Sequence, residues 1–300
     1  MLFVSSILVF LIIRLIPGDP VINLLPPNPK PEQIEAMRER YGFDKPLYVQ
    51  YGIWMENILR GNLGTSISNG FDVGALLQLK FAVTIQLALA AMTIALLTAF
   101  PLGIAAGLRP SSLMARFLNL YTTLGFAIPN FWLGILLILC FGVWLRLLPT
   151  SGFTSITVDP LKALRFLLLP AFTLSIGTSV VIANFLRYSV EEVMMAEYIS
   201  AAVARGLSYK RVVLKHALKN SMIPVVTVAT LQLGAMLGGA VVTESVFGVP
   251  GIGRLMVDAI AGRDYPVVQG SLLLVVVIFI MLNFVTDVTY GWLDPRIRLS

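Results

Sequence analysis

One histidine, His216, and one cysteine, Cys140, stand among 300 residues, and this scarcity excludes most site chemistry. A single histidine cannot build a multi-histidine metal centre, and one cysteine cannot close an intrachain disulfide. No G-x-x-x-x-G-K-[ST] phosphate loop and no H-E-x-x-H occurs, so the chain alone should neither hydrolyse ATP nor act as a zinc peptidase. The run GVPGIGRLM, Gly248 to Met256, contains a G-x-G. It follows a long apolar run, not a strand, and so reads as a tight turn and not a dinucleotide fingerprint. Thr243 and Ser245 flank Glu244, yet no histidine lies in the apolar runs to act as their base. Glu244 and Asp287 fall near the ends of such runs, where a charge costs less than at the centre. A ladder of buried carboxylates, as a proton-driven pump would use, is missing from the sequence.

Two polar segments remain. The first is EYISAAVARGLSYKRVVLKHALKNSMIPVV, Glu197 to Val226, which holds five of the 22 basic residues and the histidine. Residues 191–205 lack Pro and Gly and predict a helix. Gly206 suits the left-handed position that ends it, Ser208 can cap a second helix running to about Asn220, and Pro224 opens the next apolar span. Ala201 and Ala202 offer a flat surface for close packing by another protein. Arg187, Arg205, Lys210, Arg211, Lys215 and Lys219, set against Glu191, Glu192 and Glu197, form a basic rim for an acidic partner or anionic head groups. The bland alternative is a solvated loop that only fixes topology. The second segment carries Arg254, Asp258, Arg263 and Asp264 among Gly248, Pro250, Gly251, Gly253 and Pro266. These charges either pair across a protein interface as part of a gate, contact a docked protein, or sit solvated in a loop.

The elements that position these segments are membrane helices. The chain is 57% hydrophobic and 13% charged, with mean hydropathy +0.85, against about 25% charged in soluble domains. Its net charge of +6 reads as loop charge that orients helices, with no nucleic-acid role. Five runs are long enough to span: Phe81 to Leu108, Leu118 to Leu148, Phe166 to Leu186, Ile223 to Phe247 and Val267 to Leu293. A sixth, Met1 to Ile16, would reach only about 24 Å of a core about 30 Å thick. It reads as a truncated first span or an internal start. Arg109, Arg116, the 187–219 bases, Arg296 and Arg298 then share one side, which the positive-inside rule makes the cytoplasm, with both termini there. Residues 17–80 form an external loop with two amphipathic helices. One runs from Pro31 to Gly42 with Ile34, Met37 and Tyr41 on one face. The other runs from Pro46 to Gly61 with Leu47, Tyr51, Trp54 and Ile58. Together they predict a small ordered cap, the alternative being helices that lie on lipid. The division is thus 1–16, 17–80 and a core of 81–300 with the polar segment at 189–222.

AAVARG followed by HALKNSMIPVV resembles the coupling motif of permease subunits of bacterial ABC importers, in the branch that imports dipeptides, oligopeptides and nickel. RLIPGDP (Arg14 to Pro20), PNFWLG (Pro129 to Gly134), ESVFGVPGIGRLMVDAIAGRDYPVVQG (Glu244 to Gly270) and DPRIR near the end are similar to the same branch, so the likeness covers nearly the whole chain. It departs at Ser200, where the family motif has Glu, and in the longer spacing from Gly206 to Pro224. The resemblance implies an all-α polytopic fold of about six transmembrane helices with an external helical cap and a cytoplasmic coupling helix, the type I importer permease fold. It implies a non-catalytic subunit in the bacterial inner membrane that pairs with a second permease, two ATPase subunits that bind ATP and Mg, and a substrate-binding protein. It also implies that Glu197, Ser200, Ala201, Ala202, Arg205, Gly206 and Leu207 contact the ATPase. A bare nickel ion would call for His or carboxylate ligands along the path, which the spans barely offer, so peptides or a chelated metal are favoured. A secondary transporter would show internal repeats and buried ion pairs, and a membrane hydrolase would need a base–nucleophile pair.

Overall fold

The computed structural model describes residues 2–15, 25, 29–41 and 44–293. Residues 16–20 of RLIPGDP, Gly42 and the DPRIR tail with Arg296 and Arg298 lie outside the described residues. Those described are helical apart from connecting turns, with one isolated bridge between Thr65 and Asp72. Four helices are long and apolar enough to cross a membrane, or five if one bent pair is a single span. The chain divides into two compact units, residues 1–82 with 251–280, and residues 83–250 with 281–300.

In the first unit, α1 (Leu2–Leu15), α2 (Pro31–Tyr41) and α3 (Leu47–Leu59) precede the start of α4 (Val73–Leu108), and α11 (Ile252–Ala261) leads into α12 (Tyr265–Leu293). Two residues of the apolar stripe foreseen on α3, Tyr51 and Trp54, pack on α1, while Leu47 is exposed. Tyr51 lies 5.3 Å from Phe10 in an edge-on ring contact, Trp54 lies 5.6 Å from Phe10, and the Tyr51 hydroxyl is 2.8 Å from that of Ser6. Phe10 is thereby fully buried. α3 is thus packed against the short first helix. Of the α2 stripe, the Met37 and Tyr41 side chains lie outside the described residues. A second core joins Val73 and Leu77 of α4 to Tyr265, Val267 and Val268 of α12.

The second unit holds the rest of α4, α5 (Leu113–Ala127), α6 (Asn130–Leu137) with a π-helical stretch Ile138–Trp144, and α7 (Pro160–Met194). It continues through α8 (Glu197–Ala204), α9 (Tyr209–Arg211), a π-helical stretch Val212–Ala217, and α10 (Leu218–Phe247). Ala95, Ala99, Gly103 and Gly107 recur every four residues along α4. A Cβ on Gly103 would stand 2.7 Å from the Ala183 carbonyl oxygen of α7, and one on Gly107 would stand 2.8 Å from that of Arg187. Apolar side chains gain little by leaving lipid for protein, so membrane helices associate through this close small-residue packing.

The run Leu118 to Leu148 is not one straight span. Its two helices, Leu113–Ala127 and Asn130–Trp144, are bent by 101°. The cause is Pro129, whose ring pushes the preceding residue out of the helical region. Ile128 accordingly sits at φ −92°, ψ 116°, and the helix ends at Ala127. Pro224, by contrast, does not open a span. It lies inside α10, within an unbroken helical course from Tyr209 to Phe247. Membrane helices tolerate such a proline because neighbouring groups re-satisfy the freed carbonyl.

Candidate functional site

Of the two polar segments, the first folds entirely within the second unit. α7 stops at Met194, and the expected helix over 191–205 is interrupted at Met195 and Ala196 before α8 begins. The end of α8 is as the sequence requires. Arg205 caps it and Gly206 takes φ +81°. The Gly206 N–H donates to the Val203 carbonyl at 2.9 Å and the Leu207 N–H to that of Ala202 at 3.3 Å. This pair of bonds is a Schellman turn, which closes the exposed carbonyls of the last helical turn and needs a left-handed residue between them. Its apolar contact is present too, because Ala202 and Leu207 lie in one cluster with Ile199, Val193, Met194, Val212 and Ala217.

Ala202 therefore faces inward, and the flat Ala201–Ala202 surface inferred from sequence is half used by the chain itself. Ala201 remains exposed, beside Tyr198, Ser200, Val203, Ala204 and Arg205, with Glu197 exposed at the first turn. Ser208 adopts the cap backbone conformation without a side-chain cap bond. The next turns are π-helical, and this decides how α8 is held. Val212 and Ala217 are both fully buried against it. Residues five apart lie about 140° apart around an α-helix, whereas the i→i+5 bonding of a π-helix lines them up. A hydrogen bond from the Asn220 amide to the Tyr198 hydroxyl, 2.9 Å, ties α8 to α10. Ser189 and Ser221 exchange hydroxyl-to-carbonyl bonds between α7 and α10 at 3.2 and 3.3 Å. Arg187 is held by Glu191 at 2.9 Å and Asn119 at 2.7 Å. The rest of the basic rim, Arg205, Lys210, Arg211, Lys215 and Lys219, is exposed. The result is a short helix with one face clamped by its own chain and the other free, rimmed by positive charge.

The second polar segment behaves differently. α11 ends in the same kind of turn, with Asp264 N–H donating to the Ala259 carbonyl at 2.8 Å and Arg263 N–H to that of Ile260 at 3.2 Å. The left-handed place is filled by Arg263 at φ +52°, which costs about 1 kcal/mol relative to glycine. Asp264 is not a surface charge. It is 2% exposed, and its carboxylate accepts from the Ser66 hydroxyl at 2.5 Å, the Ser68 hydroxyl at 2.8 Å, and the N–H groups of Ile67 and Ser68 at 3.1 and 3.2 Å. Burial raises the Asp264 pKa, but these bonds outweigh it and hold the carboxyl below its ordinary value. Arg254 and Asp258 lie on successive turns of α11 with N–O 3.8 Å, both well exposed. Arg263 is exposed.

Sequence reasoning missed Ser66 and Ser68 as the partners of Asp264, since a separation of 198 residues leaves no local pattern. It also underrated Glu244. Though near the end of α10, that residue has no solvent exposure, and its carboxylate accepts from the Thr84 hydroxyl at 2.6 Å. Among the described residues, no three His, Cys, Asp or Glu side chains are grouped so as to hold a metal ion.

A family model described as "Binding-protein-dependent transport system inner membrane component" matches residues 99–299, and the N-terminal model of the same system matches residues 1–88. The chain is 38% identical over 293 residues, 98% of its length and 94% of the relative's, to a probable peptide ABC transporter permease protein, y4tP, of Sinorhizobium fredii. It is 40% identical to the di/tripeptide transport system permease protein DppB of Pseudomonas aeruginosa, covering 99% and 94% of the two chains. The glutathione transport system permease protein GsiC of Escherichia coli K12 is 38% identical, again over 99% and 94%. Among solved structures, a chain of the MetNI methionine ABC transporter in inward-facing conformations superposes with TM-score 0.59 at 18% identity, over 73% of this chain and 96% of that one, which shows a shared fold.

Proposed function

The chain belongs to the family of binding-protein-dependent transport system inner membrane components, and from that membership we propose that it couples ATP hydrolysis on partner subunits to the import of peptides. It is a multi-pass permease subunit of an ABC importer and carries no catalytic site of its own. Peptides are the cargo because the relatives similar over their whole length are named for peptide, di/tripeptide and glutathione transport. These relatives give no support to the bare-metal alternative.

The single observation that carries the mechanism is α8, a capped helix clamped on one face and free on the other. In this reading its free face, with Ser200, Ala201, Val203 and Arg205, enters a cleft on an ATPase subunit, which holds ATP and Mg. Glu197 begins the helix, while Gly206 and Leu207 close it. A second, similar permease chain brings an equivalent helix to a second ATPase. The clamp through Ile199, Ala202, Val212 and Ala217 makes α8 a rigid lever, so a movement of the ATPase passes into α7 and α10 without loss in a loose loop. Both termini and the basic rim lie on the cytoplasmic side, and the 251–266 segment faces the substrate-binding protein.

The test is purification of the complex from membranes. The wild-type chain should bring two ATPase subunits with it and support ATP-driven peptide uptake in proteoliposomes. Val203→Asp, which places a charge on the free face of α8, should insert normally yet lose the ATPase and the uptake. Uptake by the wild-type chain without any ATPase subunit would refute the reading.

A further inference from the structure

We propose that Arg263 is a prefixed cation that binds a carboxylate on the substrate-binding protein docked against the 251–266 segment; this rests on the importer reading above. Among the described residues only two that are not glycine have positive φ, Arg146 at +51° and Arg263 at +52°. Arg263 closes the end of α11, where a glycine would make the same backbone bonds without strain. The chain uses glycine in this way at three other helix ends, Gly61 at φ +78°, Gly206 at φ +81° and Gly248 at φ +64°. What arginine adds at this place is therefore its side chain. Attraction between a cation and the helix end is no sufficient reason, since a basic residue within the last turn supplies it in ordinary helical geometry.

The charges around it point the same way. In sequence the segment is neutral, with Arg254 and Arg263 against Asp258 and Asp264. In the structure Asp264 is turned inward onto Ser66 and Ser68, and Asp258 is set beside Arg254. The guanidinium of Arg263 is left exposed, without an ion pair among the described residues. Its backbone is immobilised on both sides. Its own N–H is bonded to Ile260, the Tyr265 N–H is bonded to its carbonyl at 3.0 Å, and the next residue is anchored by four hydrogen bonds. A guanidinium carried on so fixed a backbone loses less freedom on binding, and its planar fork matches a carboxylate.

The test uses the full transporter complex in proteoliposomes and its substrate-binding protein free of peptide. Arg263→Gly should leave the melting temperature equal or higher, because the strained residue is relieved. It should weaken docking about ten- to a hundredfold, the range for one hydrogen-bonded charge. Raising the salt should shrink the difference, and Arg263→Lys should restore part of the affinity. Wild-type docking by Arg263→Gly would overturn the proposal. A lowered melting temperature in that variant would make the residue structural and overturn it as well, and a defect seen only with peptide-loaded binding protein would assign the carboxylate to the peptide. A wild-type chain that purifies without ATPase subunits would be a separate failure, of the importer reading itself.

Discussion

Replacing Gly206 probes the lever at one backbone angle. A Cβ at Gly206 meets nothing within 4 Å, so alanine there has no steric consequence beyond φ. The residue must hold φ +81°, and an L-residue in that state loses about 1 kcal/mol against glycine. That is a factor of about five in the population of the closed turn. Asparagine, which tolerates the left-handed region, should lose less. Proline is a different perturbation. Its φ is fixed near −65°, and it removes the N–H that donates to Val203. It therefore cannot occupy the Schellman turn at all, and the turn must be rebuilt at a cost of about 3 kcal/mol or more. The expected order of coupled activity is Gly, then Asn, then Ala, with Pro inactive. The assay is binding-protein-stimulated ATP hydrolysis and peptide uptake by the reconstituted complex, with membrane insertion checked separately. If Gly206→Pro imports at the wild-type rate, α8 does not transmit motion through this turn and the lever assignment is wrong.

The neighbouring alanines should separate folding from coupling. Ala202→Asp puts an unpaired carboxylate into the Ile199–Val212–Ala217 cluster and should lower the melting temperature of the chain, whereas exposed Ala201→Asp should leave it unchanged and abolish ATPase binding. Asp264→Ala leaves the buried Ser66 hydroxyl without its carboxylate acceptor, a loss of about 1–3 kcal/mol, to be read as faster hydrogen exchange across residues 66–71. The pH dependence of that latch has a definite sign. The folded carboxyl sits below its ordinary value, so its stabilisation is complete above the unfolded value of about 3.9 and is lost as pH falls through the folded one; protection that instead weakened between pH 7 and 5 would contradict this. Limited proteolysis of the intact complex should spare the bonds around Trp54, where α3 is held on α1 by Tyr51 and Phe10, and rapid cleavage there would mean a loose linker.

Local signals proved legible where one residue type has a single conformational use. Gly206 marks the end of α8 because only a left-handed residue closes that turn, and Pro31 and Pro46 mark the starts of α2 and α3 by the same kind of logic. Hydropathy found the apolar runs but not their shape. The bend between α5 and α6 is written in the sequence at Ile128 and Pro129, but hydropathy registers only the length of the apolar run and passes over it. Pro224 is ambiguous in the sequence, because a missing N–H is harmless at a helix start and nothing local distinguishes that from a proline inside a membrane helix. The charges failed for a deeper reason. Asp264 and Glu244 look like loop or span-end acids in one dimension, since their partners Ser66, Ser68 and Thr84 lie 160 or more residues away. A buried carboxylate is recognisable only through the donors that fold around it. Ala202 makes the same point in reverse. A small residue on a polar helix invites a partner protein, but here the π-helical turns of Val212–Ala217 bring two fully buried side chains to that face. What the fold adds to the sequence is the sorting of α8 into a clamped face and an exposed one, and the proposed ATPase contact falls on the exposed one.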